Sequence, residues 1–221
     1  MTNLILIIIE IIICYLLMYI IIKKYDDLGI YIYAVIVTIA ACIMTLKKIS
    51  IFGVNIPTGF GLTTSLIVSS NLITQRKGKE ELKKYLAIIF LSGIIGFSFL
   101  NLSGLLESSK YNYIANESYN NIFIYSIRIY IALIVSLIFS IWTSNRIFYL
   151  IKRIYNKIVI SNILSIIIVE LIENIIFVLI AYLFEYSYID IILCIVLRYI
   201  IKIIIGIIGT IPLYMLNKYS K

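Results

Sequence analysis

The sequence contains no histidine, a single tryptophan, two prolines and three cysteines. Without histidine, a Cys/His metal site and any histidine-dependent catalytic dyad are excluded. Cys14, Cys42 and Cys194 each lie inside an apolar run with no paired spacing, so they read as small buried residues. Polar loop sequence is scarce as well. The stretches between apolar runs are short, and none could bury a soluble core of its own. Any activity must therefore sit among the apolar segments, in one integral membrane domain covering residues 1–221.

Apolar side chains fill the space these absences leave, at 62% of 221 residues and a mean hydropathy of +1.08. Several runs reach about eighteen residues or more, the length that crosses roughly 30 Å of hydrocarbon. They fall near residues 4–22, 29–46, 57–75, 85–104, 121–143, 158–184 and 189–214. The pattern predicts an all-α polytopic membrane protein, a bundle of six to seven transmembrane helices, with residues 57–75 either crossing or broken and re-entrant. The first run has no basic leader and no A-x-A-like cleavage site, and reads as a retained helix. Gly206, Gly209 and Thr210 near the end of the last run predict close helix packing, and Pro212 an end or kink.

The formal charge of +8 is carried by short loops between apolar runs, where it sets orientation and gives no reason to expect nucleic acid as a partner. Arg76, Lys77, Lys79, Lys83 and Lys84 form one basic loop, Arg146, Lys152, Arg153 and Lys157 another, with Lys218 and Lys221 at the end. These belong on the cytoplasmic side of the cell membrane, together with the carboxyl terminus. The loop at 105–120 and the turn near Glu185 and Asp190 then face outward. Whether 57–75 crosses decides the side of the Lys23–Lys24 and Lys47–Lys48 pairs, and because these pairs are equal the charge rule does not choose.

The stretch 57–78, PTGFGLTTSLIVSSNLITQRKG, carries more small and polar residues than any other segment of its length. Asn71, Gln75 and Gly78 share one helical face, joined by Thr64 one repeat earlier, and Thr63, Ser70 and Thr74 make a second polar line. In hydrocarbon an unpartnered amide costs several kcal/mol, so these groups need a neighbouring helix, a wet cavity or a ligand. Six charges also fall within predicted segments: Glu10, Arg128, Glu170, Glu173, Arg198 and Lys202. Unpaired at a helix centre each would cost about 2.5–3.5 kcal/mol. Glu170, Glu173 and Asn174 share one face of the sixth segment, and Arg198 and Lys202 one face of the seventh, which predicts a contact from Glu173 to Lys202 or Arg198. Glu10 and Arg128 lie nearer segment ends, where side chains snorkel or fix register.

From about Lys48 to Tyr214 the chain resembles the queuosine precursor transporter family, small membrane proteins that import 7-deazaguanine bases for tRNA modification. The likeness runs through Lys48, Phe52-Gly53, Pro57 and Gly59 to Asn71-x-x-x-Gln75-x-x-Gly78 and its basic loop. It continues through Arg128, Ala132 and Ser136, then Ser165, Glu173 and Phe177, and closes on Lys202, Pro212 and Tyr214. Family members usually carry Asp and Glu where this chain has Asn71 and Gln75, a proline at Thr64, an Asp at Ser144 and an Asp at Glu173. The amides keep hydrogen-bonding capacity and lose two titratable groups.

The resemblance implies a transporter importing a queuosine precursor such as preQ0, preQ1 or queuine, with Asn71, Gln75, Glu173, Lys202 and Thr64 as substrate-binding residues. Amide side chains match the amide edge of such a base, and tyrosine or phenylalanine rings stack on its face. The expected partners are a purine-like base and the lipid bilayer, with a homodimer left open, and no cofactor is expected. Three other readings stay open at this point. They are the substrate-binding membrane subunit of an energy-coupling-factor vitamin importer, a non-transporting scaffold subunit, and an intramembrane enzyme, for which no catalytic constellation is visible.

Overall fold

A segment that meets lipid must satisfy its backbone N–H and C=O groups internally, so the isoleucine-rich runs form helices even though β-branched residues favour strands in water. The computed structural model describes residues 2–106, 117–118 and 127–219. Its elements are α1 (Thr2–Met44), β1 (Lys48–Ile51), β2 (Val54–Pro57), α2 (Phe60–Lys77), α3 (Glu80–Leu105), α4 (Ile127–Tyr155), α5 (Ile158–Tyr182) and α6 (Tyr188–Tyr219). Residues 107–116, with Glu107 and Lys110 of the expected outward loop, lie outside the described residues.

The 43 residues of α1 are two antiparallel arms joined at Asp26, whose φ of 49° and ψ of −131° reverse the chain. The Tyr33 hydroxyl lies 3.3 Å from the Cys14 carbonyl oxygen, whereas a straight helix would hold those residues about 28 Å apart. Gly29 makes the turn this tight. A Cβ there would stand 2.6 Å from the Ile21 carbonyl oxygen and 2.8 Å from the Ile22 Cα, both backbone atoms.

Five helices among the described residues are long and apolar enough to cross a membrane. The expectation of six to seven differs for two reasons. The first two segments are the two antiparallel arms of α1 and count there as a single helix, and α2 is too polar to qualify. Leu and Ile side chains such as Ile12, Leu91, Ile131 and Ile204 point outward, as a lipid solvent requires.

Residues 57–75 are neither broken nor re-entrant. Pro57 ends the antiparallel hairpin β1–β2, paired with Lys48, Gly59 turns the chain at φ 83°, and α2 then runs unbroken from Phe60. Helices α1, α3, α4, α5 and α6 all pack around it, and every residue from Phe60 to Thr74 is buried. The hairpin has no counterpart in the sequence reading. Its core-facing residues, Ile51 and Ile56, are buried, and Lys47 accepts from Thr58 through its carbonyl. Pro212 does not end the last helix, because α6 continues through it to Tyr219.

The two ends of the bundle differ in charge. One holds the hairpin, with Asn3 donating to the Ser50 carbonyl at 3.1 Å and Lys48 paired with Glu185 at 3.2 Å. The other holds the turn of α1, where Asp27 pairs with Arg76 at 3.1 Å and Lys77 at 3.2 Å, and Arg76 also donates to the Leu216 carbonyl at 2.6 Å. The Lys23–Lys24 pair therefore shares an end with the basic loops at 76–84 and 146–157, and the Lys47–Lys48 pair lies opposite.

Replacing Gly29 by leucine forces the arms of α1 apart against backbone. It is expected to cost about 1–3 kcal/mol, read as a lowered midpoint of thermal unfolding in detergent, while Gly96→Ala, whose added Cβ meets only ordinary contacts with Ile39 at 3.6 Å and beyond, shifts it far less.

Candidate functional site

Helix α2 brings a polar surface on every side into the bundle, and each line of it meets a different neighbour. Its hydroxyls are answered first by its own backbone: Ser65 donates to the Leu62 carbonyl at 2.8 Å, Ser69 to Leu66 at 3.1 Å and Ser70 to Ile67 at 2.7 Å. Tyr33 on α1 donates to Ser65 at 2.6 Å, and the Tyr85 hydroxyl on α3 lies 2.7 Å from Ser69. Thr74 and Ser70 both reach Asn145 on α4, the latter accepting at 3.0 Å.

The remaining line, Thr64 and Asn71, faces α5. Thr64 donates to Glu170 Oε1 at 2.7 Å. Lys202 from α6 bridges the two carboxylates, 2.8 Å from Glu170 Oε2 and 2.6 Å from Glu173 Oε2. Arg198, one turn before Lys202, places Nη2 3.8 Å from Glu173 Oε1, and Ser136 on α4 donates to the same oxygen at 3.4 Å. Glu170, Glu173 and Lys202 are fully buried and Arg198 is 2% exposed. Two anions thus balance two cations, which lets ions persist where a lone charge would be expelled. The cluster is not saturated. Among the described residues, Arg198 Nε and Nη1 and Asn174 Oδ1 have no hydrogen-bond partner, and the guanidinium lies over the Phe177 ring at 4.1 Å.

Two helical turns along α2, about 10 Å away, a second polar layer is built on Asn71. Its Nδ2 donates to Asn162 Oδ1 at 2.9 Å and to Ser165 at 3.4 Å, and its Oδ1 accepts from Ser144 at 3.1 Å. Asn162 passes the chain on to Thr210 of α6 at 2.8 Å. Gln75 lies apart from this layer. It is half-buried and its carbonyl oxygen accepts from Lys152 near the basic end. Polar side chains therefore line α2 from Thr64 through Asn71 and Asn145 to Gln75.

The structure brings Thr64, Glu170, Glu173, Arg198 and Lys202 into one cluster, sets Asn71 one layer away, and sends Gln75 to the basic end. Glu10 and Arg128 are elsewhere. The Glu10 carboxylate accepts from the Gly61 backbone N–H at 3.1 Å, capping the first turn of α2. Arg128 donates to the Ile180 carbonyl at 2.6 Å, pinning the end of α5. Asn162 and Asn145 were not singled out by sequence reading, and Ser144 and Lys152 were named there only as a departure from the family pattern and as part of a basic loop. The signal existed for Asn162, which with Ser165 and Glu173 falls at i, i+3 and i+11 on one helical face, and for Ser136, Ser140 and Ser144, a stripe at every fourth residue of α4.

A family profile described as "Putative vitamin uptake transporter" matches residues 57–216, from the end of β2 to near the end of α6. Comparison with the curated proteins found no match. Comparison with the solved structures also found none.

Lys202→Met leaves two buried carboxylates facing each other and is expected to destabilise the protein by about 3–5 kcal/mol. Adding Glu170→Gln removes one of the opposed charges and should restore part of that loss. Thermal unfolding of both variants checks this, and equal midpoints for the single and double variants would dissolve the bridge.

Proposed function

Because the chain belongs to this transporter family, which corresponds to queuosine precursor transporters, we propose that it imports a 7-deazaguanine base such as preQ0, preQ1 or queuine across the cell membrane. The observation that carries the reading is the buried, charge-balanced cluster of Glu170, Glu173, Arg198 and Lys202 with its open groups, continuous with polar side chains along a fully enclosed helix. The basic end, with the loops at 76–84 and 146–157, is the cytoplasmic one by the excess of Lys and Arg there. The carboxyl terminus is then cytoplasmic, and α2 runs from the outer hairpin inward.

A guanine-type base offers adjacent ring N–H and amino donors that one carboxylate accepts as a pair, together with a carbonyl acceptor. Glu173 takes the donor edge, displacing Lys202, which stays paired with Glu170. The open fork of Arg198 reaches the acceptor side, Phe177 supplies a face, and Thr64 holds Glu170. Asn71, and after it Gln75, offer matching amide groups as the base moves inward. Neither amide titrates, so any charge that moves belongs to the carboxylate–lysine cluster. Asn71 and Gln75 offer no negative charge to a cationic aminomethyl arm, which favours a neutral base.

Purified protein challenged with a panel of 7-deazaguanines is expected to unfold later, by about 2.7 kcal/mol at 100 times the dissociation constant, with the neutral nitrile-bearing base ahead of the aminomethyl one. Stabilisation by an unrelated vitamin alone would replace this substrate class. Uptake of labelled precursor unchanged in both Asn71→Ala and Gln75→Ala would remove those two residues from the path.

A further inference from the structure

At the basic end, where α3 begins and α4 runs out of the bundle, a cavity of about 190 Å³ is lined by Lys79, Lys83, Arg146, Trp142 and Leu86. A second groove, about 500 Å³, continues from it along the outside of the same helix pair, lined only by Leu86, Val135, Ile138, Phe139 and Trp142. The two share Leu86 and Trp142. The first meets the α2 pathway only at Asn145 and the second does not touch it, and we infer that together they bind one anionic phospholipid, its phosphate among the three cations and an acyl chain in the apolar groove.

Charge, depth and continuity all support this occupant. Three cations face one carboxylate, Glu80, which is exposed and paired with Lys83 at 3.4 Å. Among the described residues Lys79 and Arg146 pair with no carboxylate. They lie instead over aromatic rings, Lys79 4.0 Å from the Tyr149 centroid and Arg146 3.7 Å from that of Trp142. Such stacking holds a cation in place and leaves its N–H groups open to a phosphate oxygen. Trp142, the only tryptophan in the chain, has the amphipathic ring that settles at the headgroup boundary.

Val135, Ile138, Phe139, Trp142 and Arg146 form a single stripe on α4. From Arg146 to Val135 it climbs eleven residues, about 16 Å of helix, close to half of the roughly 30 Å hydrocarbon thickness. A cationic mouth at headgroup depth above an apolar slot one leaflet deep is matched by a phospholipid and not by a soluble anion, which has nothing to place in the slot. Basic pockets between helices on the cytoplasmic side are where anionic headgroups bind.

The test is thermal unfolding of the delipidated protein in detergent with added phosphatidylglycerol, phosphatidylcholine, glycerophosphate or inorganic phosphate. Phosphatidylglycerol is expected to raise the midpoint well above the other three. The triple variant Lys79→Gln, Lys83→Gln, Arg146→Gln should lose that rise, and so should Val135→Trp, which fills the groove, keeps every charge and sits at an outward-facing position. Should the triple variant fail to fold, Val135→Trp decides alone. An equal rise with phosphatidylcholine, a rise with inorganic phosphate matching the lipid's, or a phosphatidylglycerol rise that survives Val135→Trp would each overturn the assignment.

Discussion

A helix rich in serine, threonine and amides, enclosed by other helices along its whole length, is the constraint the rest of this bundle answers. Burial gives each polar group of α2 no water, so every one needs a protein partner or a ligand. Two kinds of answer are used. The hydroxyls turn back on carbonyls three residues earlier, as Ser65, Ser69 and Ser70 do. Thr64 and Asn71 reach across and fix α2 against α5 and, through Asn162 and Lys202, α6. Hydrogen bonds of this second kind are directional, so they set the depth of neighbouring helices where dispersion between isoleucine faces would let them slide.

The ion cluster sharpens that specification. Lys202 sits between two carboxylates on successive turns of α5 and can shift by a full turn only by abandoning one of them. Its long apolar stem and three donors suit a bridging role, while the planar fork of Arg198 stays partly open. Small residues let the helices come this close. A Cβ on Gly206 would stand 2.5 Å from the Ile166 side chain, at the seam between α5 and α6 that holds both cations against both acids.

Much of this was legible in the sequence, for physical reasons that can be named. Lipid imposes helices on any long apolar run, so the segments were visible without knowing their packing. The spacing of Glu170 and Glu173, and of Arg198 and Lys202, placed complementary charges on single faces, and those faces meet. Depth was harder. Asn71 and Gln75 share a face by spacing, yet one turn carries Gln75 out of the amide layer and into reach of Lys152, a distinction that periodicity does not encode. The β1–β2 hairpin was missed because Pro57 and Gly59 stand directly before the polar helix and read as part of it. The side of the paired lysines was undecidable by charge because 23–24 and 47–48 cancel. It follows instead from the reversal at Asp26 and the unbroken course of α2, which put Lys23 and Lys24 at the end of the molecule that holds Arg76.

The balance of the quartet bears on how the membrane voltage acts on this protein. One unit charge carried fully across the bilayer exchanges about 2.3 kcal/mol with a 100 mV potential, enough to bias any rearrangement that moves it. Glu170, Glu173, Arg198 and Lys202 sum to zero, so whatever distance they travel together, the field does no net work on them. A neutral solute released from their midst leaves that sum unchanged. A rearrangement in which the four residues keep their charges and move as one is therefore electrically silent at the cluster.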